Sequence, residues 1–312
     1  MTIGRLIERL KELRRFNYIV ICLLYLVLCT PAWAKKPQPV ALPVERQQQF
    51  SYYWYAAKQA ITEDRYTDAL VLLEFCEALN PQDGTTLSFL GILYEGAGQS
   101  QRALDAFRRA FEADPRDQWF RYSRALLNQR TEEGFRQALA VLEKAEKLNS
   151  SDEDLLEQLG RMYFSSGQWK KALQTQDKLD RLKGYDGYSA INRYRIYSMW
   201  QKPKKAAAEI EKYLAQDPAN IQYLPSLILN NHAYYMATHK GDLKKAEQMS
   251  ERTIREQPNN PVYLDTYGWI MHLQGQDELA LFYLRKALWY TTDETRAEIE
   301  RHIQLIENSK KK

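Results

Sequence analysis

Four histidines, His232, His239, His272 and His302, are the side chains of this sequence best suited to hold a metal ion or to move a proton near neutral pH. Their spacing contains no H-E-x-x-H pattern, and no cysteine stands near them to complete a zinc site. His232 falls at a position expected between helices, and His239 falls near an expected turn. The histidines therefore indicate structural roles, and the sequence predicts neither a metal site nor a cofactor.

The thiols offer a second chemistry, nucleophilic attack. Cys22 and Cys29 lie in an N-terminal apolar stretch, so removal of that stretch would leave only Cys76 and no internal disulfide. Cys76 occupies an interhelix position of the repeat described below, where burial and a packing role are expected. The sequence has no phosphate-binding glycine pattern, no G-x-S-x-G pattern and no isolated pair of carboxylates. We therefore expect a protein that is not an enzyme.

The charge distribution bears on nucleic-acid binding. The formal net charge is +4, and the first fifteen residues contribute +3 of it, which leaves +1 for the rest of the chain. Binding to phosphates needs a concentrated basic surface, which a nearly neutral body lacks. With 45% hydrophobic and 27% charged residues, the composition is instead that of a folded, soluble protein. We expect no nucleic-acid partner.

The N-terminus has the pattern of an export signal. A basic stretch precedes the apolar run FNYIVICLLYLVLCT at residues 16–30, and small residues follow at Ala32 and Ala34. This order predicts a signal peptide over residues 1–34 that is cleaved after Ala34. The run is shorter than the roughly 20 residues of a typical membrane helix, yet an uncleaved anchor stays an alternative. A lipid anchor at Cys29 fits less well, because the residue before it is a leucine.

Internal repetition organises the rest of the chain. Alanine recurs at intervals of 34, 35, 34, 34, 40 and 34 residues, at Ala69, Ala103, Ala138, Ala172, Ala206, Ala246 and Ala280. A fixed period of this length is typical of a solenoid in which one supersecondary unit is repeated, and not of two separate globular domains.

The repeats resemble the tetratricopeptide repeat family, whose unit is two antiparallel helices with small residues where the helices touch. In TTLSFLGILYEGAGQSQRALDAFRRAFEADP the family pattern falls on Leu87, Leu90, Gly91, Tyr94, Ala103, Phe107, Ala110 and Pro115. In the last repeat it falls on Leu264, Tyr267, Gly268, Met271, Ala280, Tyr283 and Ala287. The resemblance implies an all-α fold, a right-handed superhelical solenoid of about seven helix-turn-helix units. Gly268 would let two helices approach closely, and Gly275 would begin the turn between them.

The repeat period places the units along the chain. Residues 35–49, with three prolines, predict a linker, and the units follow at 50–83, 84–117, 118–152, 153–186, 187–220, 226–260 and 261–294. The first five units make a block over 50–220, an interruption at 221–225 follows, and the last two units span 226–294. Residues 295–312 predict a capping helix, through Ile299, Ile303 and Ile306, and a basic tail. One extra residue leaves the register of the third unit open, and Gln176 occupies a usually apolar position.

The resemblance also implies a concave groove lined by the first helix of each unit. The family's groove positions carry over to a set rich in aromatic and arginine side chains, the residue types that dominate binding interfaces. The set is Trp54, Lys58, Trp119, Tyr122, Glu157, Arg161, Tyr188, Arg195, Asn230, Tyr234, Asp265, Trp269 and His272. An extended peptide or a helix could lie across such a groove. The alternative is that these aromatic side chains only fill space between repeats.

These observations predict a non-enzymatic scaffold or adaptor that binds a protein or peptide partner in the groove. The last two repeats resemble those of exported bacterial tetratricopeptide proteins, which together with the signal favours the periplasm or cell envelope. One alternative is an assembly factor tethered to the inner membrane, whose uncleaved N-terminal segment would be its only membrane contact. Another is an envelope hydrolase or glycan-binding protein that stacks sugars on the aromatic groove. The chain lacks the lysine, asparagine and arginine pattern with which some family members bind a chaperone's acidic C-terminus.

Overall fold

The computed structural model describes residues 42–309, and most of this range is α-helical. It contains fifteen α-helices, one short 3₁₀ helix and no β-strand. The helices are α1 (Val44–Thr62), α2 (Tyr66–Leu79), α3 (Gly84–Gly96), α4 (Ser100–Ala113), α5 (Trp119–Asn128), α6 (Glu132–Leu148), α7 (Glu153–Ser165), α8 (Trp169–Lys183), α9 (Gly187–Met199), α10 (Pro203–Gln216), α11 (Ser226–Thr238), α12 (Leu243–Glu256), α13 (Pro261–Leu273), α14 (Asp277–Tyr290) and α15 (Asp293–Ser309). The predicted all-α class is confirmed, whereas the predicted signal at 1–34 and the end of the basic tail at 310–312 lie outside the described residues.

Two compact units share the chain, and the first of them ends at Arg121. Its described part contains two antiparallel helix pairs, α1 with α2 and α3 with α4. The Tyr94 hydroxyl of α3 donates a hydrogen bond to Glu74 of α2 at 2.9 Å, and Arg109 of α4 forms an ion pair with Glu77 of α2. These contacts join the second pair to the first.

The second compact unit begins at Tyr122. It contains the pairs α7 with α8, α9 with α10, α11 with α12 and α13 with α14, followed by α15. Its largest core cluster runs through successive pairs and includes the fully buried Ile210, Leu229, Leu264 and Leu284. Each pair buries one face against the next, which is how a repeat too small for its own core becomes stable.

Short polar side chains fix where many of the helices begin. Each accepts a hydrogen bond from a backbone N–H of the first turn, which would otherwise have no partner. The capping residues are Asp83 before α3, Thr131 before α6, Asp152 before α7, Asp186 before α9, Asp242 before α12 and Asn260 before α13. Four of these helices, α3, α7, α9 and α13, are the first members of their pairs, so in these four repeats the cap sets the start of the repeat.

The turn inside each pair passes through left-handed backbone angles. The residues with positive φ in these turns are Asp64, Gly98, Arg130, Gly167, Gln201, Lys240 and Gly275. The φ of Gly275 is +81°, which confirms the turn predicted there. Four of the seven turns adopt this conformation without a glycine, although a side chain makes it less favourable.

Small residues lie where the two helices of a pair touch. All seven alanines that define the period are at most 3% exposed. A Cβ atom built on Gly268 would lie 2.9 Å from Leu284 Cγ and 3.1 Å from the Ala280 carbonyl oxygen. The predicted close approach at Gly268 is therefore confirmed, and close packing offsets the helix penalty of about 1 kcal/mol that an internal glycine carries. Cys76 is likewise fully buried, as expected of a packing thiol.

Two connecting segments differ from the sequence-based expectation. Helix α1 begins at Val44, inside the predicted linker, because Pro43 is extended and the polar residues after it continue the first turn of the helix. Near the predicted interruption, a 3₁₀ helix spans Pro218–Tyr223. The guanidinium of Arg252 on α12 donates to the backbone carbonyl oxygen of Gln222 at 3.0 Å and also to that of Ile221. The interruption is thus an ordered element bonded to the next helix pair.

The last helix covers the final pair, as predicted. Ile299 and Ile306 of α15 are 1% and 0% exposed, and Ile303 is partly buried against the same core. The buried His302 places Nδ1 2.8 Å from Asp265 Oδ1 of α13. Both apolar and polar contacts therefore hold α15 in place. None of the helices in residues 42–309 has the length and apolar character that a membrane crossing would need.

Candidate functional site

A cleft of about 370 Å³ lies between helices α7, α8 and α9, within the second compact unit. Helix α7 contributes Arg161 and Phe164, α8 contributes Gln176, and α9 contributes Tyr188 and Arg195. A second cavity of about 360 Å³ shares part of this lining and extends toward the end of α8. The two together make an open depression between the fourth and fifth helix pairs, which we call the α7–α9 cleft.

Two arginines stand on the wall of the α7–α9 cleft, one repeat apart. Arg161 donates to Gln158 Oε1 at 2.8 Å and lies 3.7 Å from Glu157 Oε2, a long ion pair. The guanidinium of Arg195 lies over the ring of Phe164, 5.5 Å from its centroid. Both arginine side chains are exposed, so their donors can reach a molecule in the cleft.

Part of the cleft floor is polar, beside the buried apolar Ala172, Leu179 and Ile196, although repeats of this kind normally bury an apolar residue at the position of Gln176. Gln176 is only 6% exposed, and its Nε2 donates to Asp180 Oδ1 at 2.8 Å. Asn192 Nδ2 donates to Gln176 Oε1 at 3.2 Å. Ser189 also donates to Asp180, and Arg193 Nε donates to Asp180 Oδ2 at 3.0 Å. The floor is therefore a connected hydrogen-bond network in which each buried group has a partner.

The charged groups in this floor neutralise one another. Burial alone would raise the pKa of Asp180, but hydrogen bonds from Ser189 and Gln176 and the charge of Arg193 lower it. The pKa of Arg193 is raised, because its bonds to Asp177 and Asp180 outweigh burial. Asp180 and Arg193 therefore form a charged, mutually neutralised pair and add no net charge to the cleft.

The structure brings part of the predicted groove set together in this cleft. Arg161, Tyr188 and Arg195 all line it, together with Glu157. Tyr188 is 52% exposed, so its ring offers a flat apolar surface to solvent. The family resemblance selected these residues as groove positions, and Arg161 and Arg195 occupy the same position of successive first helices.

The predicted residues of the first three pairs lie elsewhere. Trp54 is half-buried and packs edge-on against Phe89, with ring centroids 5.4 Å apart, while Lys58 is exposed. Tyr122 is partly buried. Trp119 is only 5% exposed, which differs from the expectation of an open groove residue. Its large apolar ring is taken into the packing at the start of α5.

The predicted groove residues of the last two pairs are largely occupied by the chain itself. Asn230 is 2% exposed, and Asp265 is 8% exposed and bonded to His302. The ring of Trp269 stacks on that of His302, with centroids 4.3 Å apart. Burial raises the pKa of the partly buried Tyr234. The expectation of an open groove here needs correction for Asn230 and Asp265, because both side chains are buried. At Asp265 the burial arises because α15 covers this face.

The cleft residues that the predicted groove set lacks include Phe164, Gln176 and Asn192. Gln176 gives a signal in the sequence, since a polar side chain stands at a usually apolar position. A departure from the repeat pattern does not by itself indicate a binding site. Phe164 and Asn192 gave no signal, because their contacts depend on how neighbouring pairs stack.

The arrangement suits binding. Its groups are two guanidinium ions, aromatic faces and amides, which hold a ligand by charge, stacking and hydrogen bonds. Within residues 42–309, no three His, Cys, Asp or Glu side chains cluster as metal ligands do. Burial raises the pKa of the Cys76 thiol to about 11, so this thiol stays protonated near neutral pH.

Comparison with known proteins shows similarity at the level of the fold. No protein-family model matches the chain, and no curated protein matches it significantly. A chain of the structure of Naa15/Naa10 bound to HypK-THB shares 15% identity, with a TM-score of 0.53, over 83% of this chain and 39% of its own length. This chain therefore spans about two fifths of that neighbour.

Two further solved structures are named as tetratricopeptide repeat proteins. One, from Parabacteroides merdae ATCC 43184, is 15% identical over 83% of this chain and 99% of its own, with a TM-score of 0.46. The other, YrrB, described as having an unusual peptide-binding site, is 20% identical over 53% of this chain and 85% of its own, with a TM-score of 0.43. The repeated helix pairs and the buried small residues between them give this chain the tetratricopeptide repeat fold.

Proposed function

We propose that the protein is a non-enzymatic interaction scaffold that binds a segment of a partner protein in the α7–α9 cleft. The observation that carries this proposal is the exposure of Arg161, Tyr188 and Arg195 around one depression, above a floor of bonded amides. Arginine and tyrosine bury much surface with few lost rotamers, and they supply donors at the same time. A neighbour of the same fold was solved bound to HypK-THB, which supports a partner of protein nature.

The size of the cleft supports a short segment rather than a whole folded surface. A volume of about 370 Å³ fits a few side chains of an extended peptide, and the adjoining cavity lengthens the track along α8 and α9. We further propose that the partner is met in the bacterial envelope, as a soluble periplasmic protein or, alternatively, with the protein tethered by residues 16–30.

Site-specific photo-crosslinking in the native host tests the proposal. The full chain would carry a photo-reactive phenylalanine analogue in place of Tyr188, which lines the cleft, or in place of Tyr223, which lies outside it. Both side chains are exposed, at 52% and 66%, so solvent access does not distinguish them. We expect a discrete adduct from position 188 only, and we expect Arg195→Ala to abolish it.

Two outcomes would count against a binding cleft. The first is that position 188 gives no adduct. The second is that positions 188 and 223 give the same adducts in the same yield. Circular dichroism of each variant would establish that the helices are intact, so that a missing adduct reports on binding and not on folding.

A further inference from the structure

We propose that the α7–α9 cleft selects partner segments by a carboxylate, which Arg195 binds with help from Arg161. This inference rests on the proposed function and adds the chemistry of the partner. The carboxylate could belong to an aspartate or glutamate side chain or to the end of a polypeptide, since both present the same two oxygens. The experiment below separates these sources.

Arg195 has a charge that the described part of the protein leaves without a counter-ion. Asp177 and Asp180 on α8 pair with Arg193 instead, and no acidic side chain of the described residues lies within 4 Å of the Arg195 guanidinium, which stacks on the Phe164 ring at 5.5 Å. Stacking on a ring uses the face of a guanidinium and leaves the N–H groups at its edge free. Two of those N–H groups match the spacing of carboxylate oxygens, which makes a bidentate bond possible.

Arg161 can assist, because its own acidic neighbour is shared. Glu157 lies 3.7 Å from Arg161 but accepts a closer bond from Lys183 Nζ, at 3.2 Å. The Arg161 side chain is 60% exposed. A ligand carboxylate would therefore add to the contacts of Arg161 rather than displace a strong ion pair.

The remaining charges around the cleft do not cancel this positive site. Asp180 is neutralised by Arg193 in the floor. Asp186 keeps its negative charge while it caps α9, but Lys183 lines the same adjoining cavity and supplies a positive charge. Glu157 is the one acid on the wall of the larger cavity, against two arginines. The balance favours a ligand with a single negative charge, because a polyanion such as nucleic acid would need a wider basic surface.

The neighbouring groups fit a polypeptide around that carboxylate. Asn192 uses its Nδ2 to bond Gln176, which leaves its side-chain oxygen able to accept a backbone N–H. The exposed ring of Tyr188 stands beside it on the same helix and offers an apolar contact to an adjacent ligand side chain. The cleft thus combines a carboxylate site, a backbone acceptor and an aromatic face, the three elements of short-peptide recognition.

Peptide selection with the purified full chain in detergent tests the inference. Random twelve-residue peptides would be displayed in two formats, with a free C-terminus or followed by a constant neutral extension. If the cleft binds a side-chain carboxylate, we expect the enriched peptides to carry Asp or Glu at one fixed position in both formats. If the cleft binds the C-terminal carboxylate, we expect binders only in the format with a free C-terminus.

Variants then test the contact directly on one selected peptide. Arg195→Gln should weaken binding roughly 10- to 100-fold, the usual effect of losing a charge-assisted hydrogen bond. Arg181→Gln serves as the matched control, since Arg181 is exposed on α8 and does not line the cleft. Replacing the peptide carboxylate by an amide should cost the wild type at least as much as Arg195→Gln does, and should cost the Arg195→Gln variant less than it costs the wild type.

The possible results separate this inference from the proposed function. Selection of peptides with no carboxylate preference, bound equally by the wild type and Arg195→Gln, would overturn the carboxylate site and leave a peptide-binding cleft. Enrichment of no peptide in either format would contradict both. An effect of Arg181→Gln equal to that of Arg195→Gln would attribute the binding to diffuse charge, which also overturns the inference.

Discussion

Gly91 and Gly160 stand at the same position of two repeats, yet the space around them differs. A Cβ atom on Gly91 would lie 2.4 Å from Cε1 of the buried Phe107, whereas one on Gly160 would lie 3.5 Å from Thr175 Cγ2, an ordinary contact. We expect Gly91→Ala to lower the free energy of unfolding by about 1–3 kcal/mol through overpacking. Gly160→Ala should be neutral or stabilising by up to about 1 kcal/mol, the difference in helix propensity.

Urea denaturation followed by circular dichroism would measure both variants. Gly160→Ala is the control, because the substitution and its place in the repeat are the same. Equal changes in the midpoint for the two variants would show that helix propensity alone governs this position, against the packing that the structure shows.

We expect the buried His232 to make the free energy of unfolding depend on pH. Its side chain is 1% exposed, its Nε2 lies 2.8 Å from Glu211 Oε1, and burial lowers its pKa below the ordinary value of 6.5 despite that carboxylate. Between 6.5 and the lower native value, the unfolded chain binds a proton that the native state does not, so stability falls as the pH falls. The slope from this one group would reach at most about 1.4 kcal/mol per pH unit.

Unfolding free energies between pH 7 and pH 5 would check this expectation. His232→Asn should flatten the slope, whatever it does to the absolute stability. His239→Asn changes an exposed histidine and should leave the slope unchanged. Glu211 does not interfere: burial would raise its pKa, but bonds from Lys245 and His232 lower it below 4.5, outside this window. An unchanged slope in His232→Asn would contradict the prediction.

The residues of the candidate site show how far the family resemblance reaches. It selected Arg161, Tyr188 and Arg195, because the family's groove positions lie on the face of successive first helices that lines this depression. It also selected Asp265, whose carboxylate the structure places against His302 of α15. Periodicity states which face of a helix a residue occupies, but burial of that face depends on an element more than thirty residues away in the chain.

At the scale of elements, the turns inside the helix pairs share one backbone feature, a residue with positive φ. Gln201 has a φ of +55°, in the region that a glycine adopts without strain. We expect Gln201→Gly to raise the free energy of unfolding slightly, or to be neutral, since relief of an unfavourable conformation of about 1–2 kcal/mol is opposed by the entropy of the unfolded glycine.

The opposite change at an equivalent turn completes this test. Gly275→Ala places a side chain at a φ of +81° and should lower the free energy of unfolding by about 1 kcal/mol. Thermal unfolding of both variants would show whether they move in opposite directions. A loss of stability in both would mean that the Gln201 side chain contributes contacts that outweigh its backbone strain.

The sequence located most of the helices but not all of their ends. Alanine spacing, glycine at 91 and 268 and the proline-containing repeat ends indicated the pairs. The start of α1 at Val44 was missed, because proline-rich segments before a helix give no apolar period. The sequence also did not indicate the left-handed conformation of Arg130, Gln201 and Lys240, since residues with side chains adopt these angles only when the flanking helices require it.

At the scale of the whole molecule, the export of the protein is a prediction that rests on sequence alone. Small residues at Ala32 and Ala34 after an apolar run favour cleavage after Ala34. We expect mass spectrometry of the protein from its native host to find Lys35 as the first residue. An intact N-terminus in the membrane fraction would instead support the anchored alternative, and an intact N-terminus in a soluble cytoplasmic fraction would contradict both.

Helix α15 restricts how such a chain can evolve. Because its isoleucines and His302 already occupy the exposed face of the α13–α14 pair, a duplicated repeat inserted directly before α15 would have to provide the same contacts for α15 to stay docked. A frameshift that removed α15 would expose this apolar face and favour aggregation.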